Sequence, residues 1–160
     1  MTKQIPLTQG KYALVDDDVY EWASQYRWCA SNKGNTSYAV RNVGNGLVIK
    51  RIHLHREIMN APHGTLVDHI NGDGLNCTRA NMRLASRSEN NRNSCKQINN
   101  TSGFKGVYWN KNKNKWHAQI RANNRRVHIG LFPDIEQAAR AYDVAARKYH
   151  GEFAKTNFTG

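Results

Sequence analysis

Apolar and polar positions alternate differently in the two parts of this chain. Tyr12 to Val15 is a short apolar run. Asp16, Asp17 and Asp18 follow, placed to cap a helix over about residues 19–26 and to favour its N-terminus. Residues 37–43 and 47–54 read as strands around the turn Gly44-Asn45-Gly46. A short helix over 55–60 stops ahead of Pro62. Residues 67–70 and 82–85 are short strands separated by a glycine-containing turn over 71–76. Ser86 then reads as the N-cap of a helix, with Glu89 three residues on as its capping-box partner.

Beyond residue 103 the periodicity is cleaner. Residues 104–109, 115–122 and 126–132 read as strands. In the second, Trp116, Ala118, Ile120 and Ala122 face one way and His117, Gln119 and Arg121 the other. In the third, Val127, Ile129 and Leu131 oppose Arg126 and His128. Pro133 and Asp134 open a helix that ends at Gly151. Its apolar stripe is Ala138, Ala141, Tyr142, Ala145 and Tyr149. The alanines let this helix lie close on the sheet, and the other sheet face is left open, basic and polar: a binding surface.

The expected fold class is therefore α+β. A small N-terminal αβ region carries a ββα core around a metal-sized pocket, and a three-stranded antiparallel sheet packed on one helix follows. The expected boundaries are 1–94 and 103–160, with the Asn- and Ser-rich stretch 95–102 as linker.

Charge narrows the partner. The formal net charge is +12 and the pI about 9.9. Lys and Arg stand 8 against 5 acids in residues 1–65, 5 against 3 in 66–102 and 11 against 4 in 103–160. The excess thus sits in the last third, interleaved with aromatics, which points to nucleic acid. No apolar run approaches the ~20 residues of a membrane span, and the N-terminus has no continuous apolar segment before its acids. Cys29, Cys77 and Cys95 are an odd count without CxxC spacing, so reduced thiols in a cytosolic chain are expected.

The chemistry concentrates in residues 66–93, LVDHINGDGLNCTRANMRLASRSENNRN. Asp68 offers a hard oxygen donor and His69 a base that titrates near neutrality. Gly72 and Gly74 make the intervening bend cheap. Asp73 reads as a solvated turn residue, and Arg83 and Arg87 as contacts to a nearby phosphate. His53 and His55, in IHLHREIM, read as structural.

The segment VDHINGDGLNCTRANMRLAS resembles the HNH homing-endonuclease family over about 28 residues. The resemblance implies that His69 is the general base and Asn81 its orienting residue. It makes Asp68 and Asn90 the ligands of one divalent cation. Asn90 stands where many members have a third histidine, an HNN variant that points away from zinc and towards Mg2+ or Mn2+.

Residues 103–158 resemble the ethylene-response-factor (AP2) DNA-binding domain along their whole length, through GVYW, HAQI, GLF, AARAYDVAA and the closing NF. The resemblance lays the sheet in the major groove, with Lys105, Tyr108, Gln119, Arg121, Arg126 and His128 towards DNA. Lys105 and Tyr108 have opposite parity, so a bulge or twist is expected in the first strand. Tyr108 and His128 depart from the plant pattern, and the plant site preference does not carry over.

Together these imply a monomeric, site-specific endonuclease on double-stranded DNA, of homing or nicking type and of the kind carried by phage mobile elements, acting inside the host cell. The rival readings are a DNA-binding regulator whose nuclease module is inactive, and an RNA-directed or non-specific nuclease.

Overall fold

The computed structural model describes residues 1–44, 47–96 and 99–158. The chain is mixed α+β, with several small antiparallel sheets and few helices, and it divides into two compact units, 1–90 and 91–160. Among the described residues no helix is long and apolar enough to cross a membrane.

In the first unit β1 (Thr2–Pro6) pairs with β2 (Tyr12–Asp16) and α1 (Asp17–Ala23) follows at once. The alternation of Thr2 to Pro6 is too short to announce β1, yet Ile5 is among the most deeply buried side chains of the unit. The acids do not cap α1 through their side chains. Asp16 occupies the N-cap position, but its carboxylate accepts from the backbone N–H of Arg79 at 2.9 Å, and Asp18 pairs with the Arg79 guanidinium at 2.8 Å. They anchor a distant turn instead.

A three-stranded meander comes next: β3 (Cys29–Lys33), β4 (Thr36–Gly44) and β5 (Ile49–His53). Asn45 and Gly46, in the expected turn, lie outside the described residues. β3 has no clean polar alternation in sequence and was not expected. α2 (Leu54–Ile58) starts one residue earlier than anticipated. Arg56 on α2 donates to the carbonyls of Ala61, Pro62 and Thr65, which fixes the entry into β6 (Leu66–His69). β6 pairs antiparallel with β7 (Met82–Ala85), and α3 (Arg87–Arg92) follows. The capping box forms: the Ser86 N–H donates to the Glu89 carboxylate at 2.8 Å, and the Glu89 N–H to Ser86 Oγ at 3.2 Å. The core gathers Ile5, Val15, Val19, Trp28, Leu54 and Met82.

The second unit is a three-stranded sheet in the order β10-β9-β8 with one long helix against it. The strands are β8 (Val107–Asn110), β9 (Lys115–Ala122) and β10 (Arg125–Phe132). The helix, α4 (Ile135–His150), begins where Asp134 Oδ1 accepts from the Gln137 N–H at 2.9 Å. Gly151 closes it at a positive φ of 56°. Its buried face is Ala138, Ala139, Tyr142, Asp143, Ala145, Ala146 and His150. Tyr149 is exposed, so the stripe is rotated towards 139, 143 and 146 relative to the expected one. A buried aspartate concealed that face: Asp143 accepts from the N–H groups of Asn157 and Phe158 at 2.8 and 2.9 Å. Asn157 in turn bonds both backbone groups of Lys105. The closing Asn-Phe thus latches the chain end to the helix and to the lead-in of β8.

The irregularity expected in the first strand occurs in the third. Register shifts between His128 and Gly130, a bulge centred on Ile129. Phe132 is thereby moved into the core, and Leu131 comes opposite His117 on the open face. Leu131 does not share the core face with Val127. The polar stretch before β8 folds back on itself: the Asn100 side chain and Ser102 Oγ bond Phe104 and Val107.

Candidate functional site

Two adjacent residues of β6 end up with different neighbours. Asp68 lies opposite Arg83 across the β6–β7 pair, and Arg83 Nε and Nη2 both reach Asp68 Oδ2 at 2.8 Å. The side chains are 5% and 13% exposed, so this is a largely desolvated pair. Arg83 was expected on a phosphate. The structure ties it to Asp68, because strand pairing sets the two in register.

His69, 6% exposed, points towards an aromatic cluster. Its ring lies 5.2 Å from that of His55, edge-on, and 5.9 Å from Tyr38. His55 also meets His53 at 5.3 Å and Tyr38 at 5.2 Å. His53 and His55, read as structural in sequence, are therefore direct neighbours of the candidate base. Sequence spacing gave no signal of this, since β4, β5 and α2 meet β6 only in the folded unit. Burial pushes His69 below the usual histidine range, against the raising influence of Asp68 and Asp73. His55 is driven down to about 3, mainly by burial and then by His69 and His53.

The loop after His69 is stapled by one side chain. Asn81 Oδ1 accepts from the Asn71 N–H at 3.1 Å, and its Nδ2 donates to Asn71 Oδ1 and to the Asn76 carbonyl. Its own carbonyl accepts from the Ile70 N–H at 2.8 Å. Asn81 thus acts on the backbone that leaves His69. The Asp16 and Asp18 contacts to Arg79 hold the turn that presents Asn81. Gly72 takes a φ of 84° in the tight turn where its N–H bonds the His69 carbonyl. Gly74 is needed for room: a Cβ there would lie 2.5 Å from the Ser37 carbonyl and 2.6 Å from the Tyr38 ring. Asp73 Oδ1 accepts from the Leu75 N–H, a turn role. Beside this loop a polar cleft of about 390 Å3 opens between Asn35, Thr36 and Ser37 on one side and Asn71, Gly72, Asp73 and Leu75 on the other.

Asn90 sits on α3, one turn beyond Ser86. Among the described residues no three His, Cys, Asp or Glu side chains are arranged to hold a metal. Cys77 is buried with its thiol pushed up to about 12, so it stays protonated at neutral pH. The two ligand candidates, the Asp68 carboxylate held by Arg83 and the Asn90 amide on α3, are both oxygen donors. Hard donors of this kind fit a hard divalent cation.

On the second unit the open sheet face carries Tyr108, His117, Gln119, Arg121, Arg126 and His128. Tyr108 packs on His117 at 4.6 Å, and His117 Nε2 meets His128 Nδ1, so one imidazole donates to the other. Arg121 and Arg126 are directly opposed in register. Like charges in that position repel unless an anion lies over them. Arg87 is exposed on α3. Lys105 is off this face: its Nζ donates to the carbonyls of Arg92 and Ser94 at 2.6 Å each, and burial pushes its ammonium down to about 8. His117 was the neighbour to add, and its alternation in β9 already placed it there.

Comparison with known proteins assigns both parts. The HNH endonuclease family model matches residues 60–92 and the AP2 domain model residues 102–152. An HNH endonuclease of Acanthamoeba polyphaga mimivirus is 31% identical over 155 residues, which cover 93% of this chain and 76% of that protein. The chain belongs to the HNH endonuclease family. Protein 3.8 of Escherichia phage T7 is 35% identical over 94 residues, 59% of this chain and 77% of that one. An AP2/ERF and B3 domain-containing protein of rice (Oryza sativa subsp. japonica) is 53% identical over 60 residues, 38% of this chain and 16% of the rice protein. This HNH endonuclease therefore joins a nuclease domain to an AP2 domain, a pairing that indicates DNA as the partner.

Proposed function

We propose that the chain is a monomeric, site-specific endonuclease that hydrolyses a phosphodiester of double-stranded DNA, of homing or nicking type. Residues 1–94 form the nuclease part around a ββα-metal centre, 95–102 link, and 103–160 hold DNA. The observation that carries this reading is the joint position of Asp68, His69 and Asn81 on one antiparallel pair and its connecting loop.

Asp68 and Asn90 would hold one Mg2+ or Mn2+. Bound there, the cation would polarise the scissile phosphate and stabilise the leaving 3′ oxygen. His69 accepts a proton from water as the water oxygen bonds to phosphorus and the bond from phosphorus to the 3′ oxygen breaks. A base must be neutral to do this, and burial keeps the His69 imidazole neutral at physiological pH. Asn81 positions His69 through the loop backbone. Arg83 holds the Asp68 carboxylate in place, and Arg87 is offered to the cleaved strand. Gln119, Arg121, Arg126, Tyr108 and His128 supply the DNA contacts of the C-terminal sheet, in the Arg–guanine and Gln–adenine chemistry of major-groove readout.

The alternative of a DNA-binding regulator with an inactive nuclease module draws on one observation: Asp68 and His69 are 4% and 6% exposed. Incubating supercoiled plasmid with Mg2+ and either wild type or His69→Ala separates the two. Wild-type cleavage that the variant lacks supports the enzyme. Equal inertness with DNA binding intact supports the regulator.

A further inference from the structure

Among the described residues, 47–49 at the start of β5 are apolar and exposed. Leu47 is 93% exposed, Val48 73% and Ile49 65%. Isolated exposed apolar residues are ordinary, but three consecutive ones at a hairpin end mark an interaction site. Strand register shows where this end leads. Val40 is opposite His53, Asn42 opposite Arg51 and Gly44 opposite Ile49. Alternation along β4 sets Tyr38 on the same face as Val40 and Asn42, and the Tyr38 and His53 rings meet at 6.5 Å. One face of the hairpin therefore runs unbroken from the Tyr38–His53–His55–His69 cluster, past Asn42 and Arg51, to Ile49 and the apolar end. Ile49 to His53 is four strand steps, about 13 Å. The apolar end is thus within one helical turn of duplex (about 34 Å) of the nuclease centre.

Charge identifies the occupant. Residues 36–53 contain Arg41, Lys50 and Arg51 and no acid. Arg41 is engaged by Glu57 and stacked over Tyr26, whereas Lys50 and Arg51 are exposed. We propose that this hairpin is a DNA-contacting arm. Arg51 meets a backbone phosphate, and Leu47, Val48 and Ile49 enter the minor groove next to the cleaved bond as an apolar wedge, which unstacks a base step and bends the duplex towards the centre. The proposal rests on the nuclease reading of His69, since continuity with that centre selects DNA over a second protein chain.

The test compares full-length wild type, Leu47→Ser/Val48→Ser, Arg51→Ala and His69→Ala. Affinity for a fluorescein-labelled duplex is measured by anisotropy across a salt series, and cleavage on supercoiled plasmid. Oligomeric state is read by sedimentation, and thermal unfolding confirms that the exposed substitutions leave the fold intact. The serine variant should bind about tenfold more weakly with an unchanged salt slope, from the loss of apolar burial. Arg51→Ala should bind more weakly with the slope reduced by about one phosphate contact. Both should cut more slowly in proportion, while His69→Ala binds as wild type. Unchanged affinity in both hairpin variants overturns the arm, as does a wild-type dimer that the serine variant converts to monomer. Full-rate plasmid cleavage with unchanged binding would sink the arm and leave the nuclease reading standing. Weakened binding by the hairpin variants in a chain that never cuts would sink the nuclease reading and leave the hairpin as a DNA contact.

Discussion

Replacing Arg83 by leucine should destabilise the first unit and make its stability depend on divalent cation. Arg83 gives Asp68 two contacts at 2.8 Å, and the carboxylate is 5% exposed. Removing the guanidinium strands a buried charge, which costs about 3–5 kcal/mol. Leucine recovers part of this by covering the apolar stem region, worth about 1–2 kcal/mol. A net loss of about 1–4 kcal/mol remains, roughly 4–32 °C in Tm for a unit of this size. The assay is thermal unfolding of the full chain followed by tryptophan fluorescence, with Trp22 and Trp28 reporting on the first unit. The double variant Asp68→Asn/Arg83→Leu should regain most of the loss, because no charge is left unpaired. Millimolar Mg2+ should raise the Tm of Arg83→Leu more than that of wild type, as a cation takes the place of the guanidinium. An Arg83→Leu protein within 1 kcal/mol of wild type would refute the view that this pair sets the charge balance of the centre.

Three further outcomes follow from the same geometry. Below pH 6.5 an unfolded chain takes up a proton on His55 that the folded chain binds only near pH 3. The unfolded state therefore binds more protons in that window, stability falls as pH falls through it, and the slope is at most about 1.4 kcal/mol per pH unit. His55→Phe, which keeps a ring beside Tyr38, should flatten urea-denaturation stability between pH 6.5 and 5; an unaltered slope would exclude His55 as the source. Gly74→Ala should push Ser37 and Tyr38 away from the loop, costing about 1–3 kcal/mol and slowing cleavage, whereas Gly10→Ala, with open space around it, tests only the strain of its positive φ of 65°. Arg121→Ala and Arg126→Ala should each weaken duplex binding and lower the salt slope, but the first of the two removed should raise thermal stability slightly by relieving their cross-strand repulsion. Loss of stability in both single variants would contradict that repulsion.

Strict alternation made the C-terminal sheet legible: Ala118, Ile120 and Ala122 are buried where period two places them, and Gln119, Arg121 and His128 lie on the open side. The failures there have local causes. A bulge at Ile129 reverses parity, so Leu131 and Phe132 exchange faces, and no turn residue announces it. Asp143 is polar yet buried, because its partners Asn157 and Phe158 arrive from the chain end. In the first unit β1 and β3 are hard to read because each is five residues without clean alternation, although Gly34-Asn35 after β3 is a two-residue hairpin signal. The Asp-His-Asn order singles out the candidate site, but the surroundings of that site are products of tertiary structure. Arg83 on Asp68, His55 against His69, and Arg79 on Asp16 and Asp18 join residues 15, 14 and about 60 positions apart. Pair register and the docking of the 71–76 loop on β4 create these contacts, and no local pattern encodes them.

In the proposed mechanism His69 takes the proton from water during DNA hydrolysis. The most direct measurement of this step is the rate of supercoiled-plasmid cleavage in Mg2+ for wild type and His69→Ala, with duplex affinity measured alongside. The expected result is cleavage by wild type, loss of at least about a hundredfold in the variant, and equal DNA affinity. Cleavage at the wild-type rate by His69→Ala, or none by either protein while both bind duplex, would contradict it.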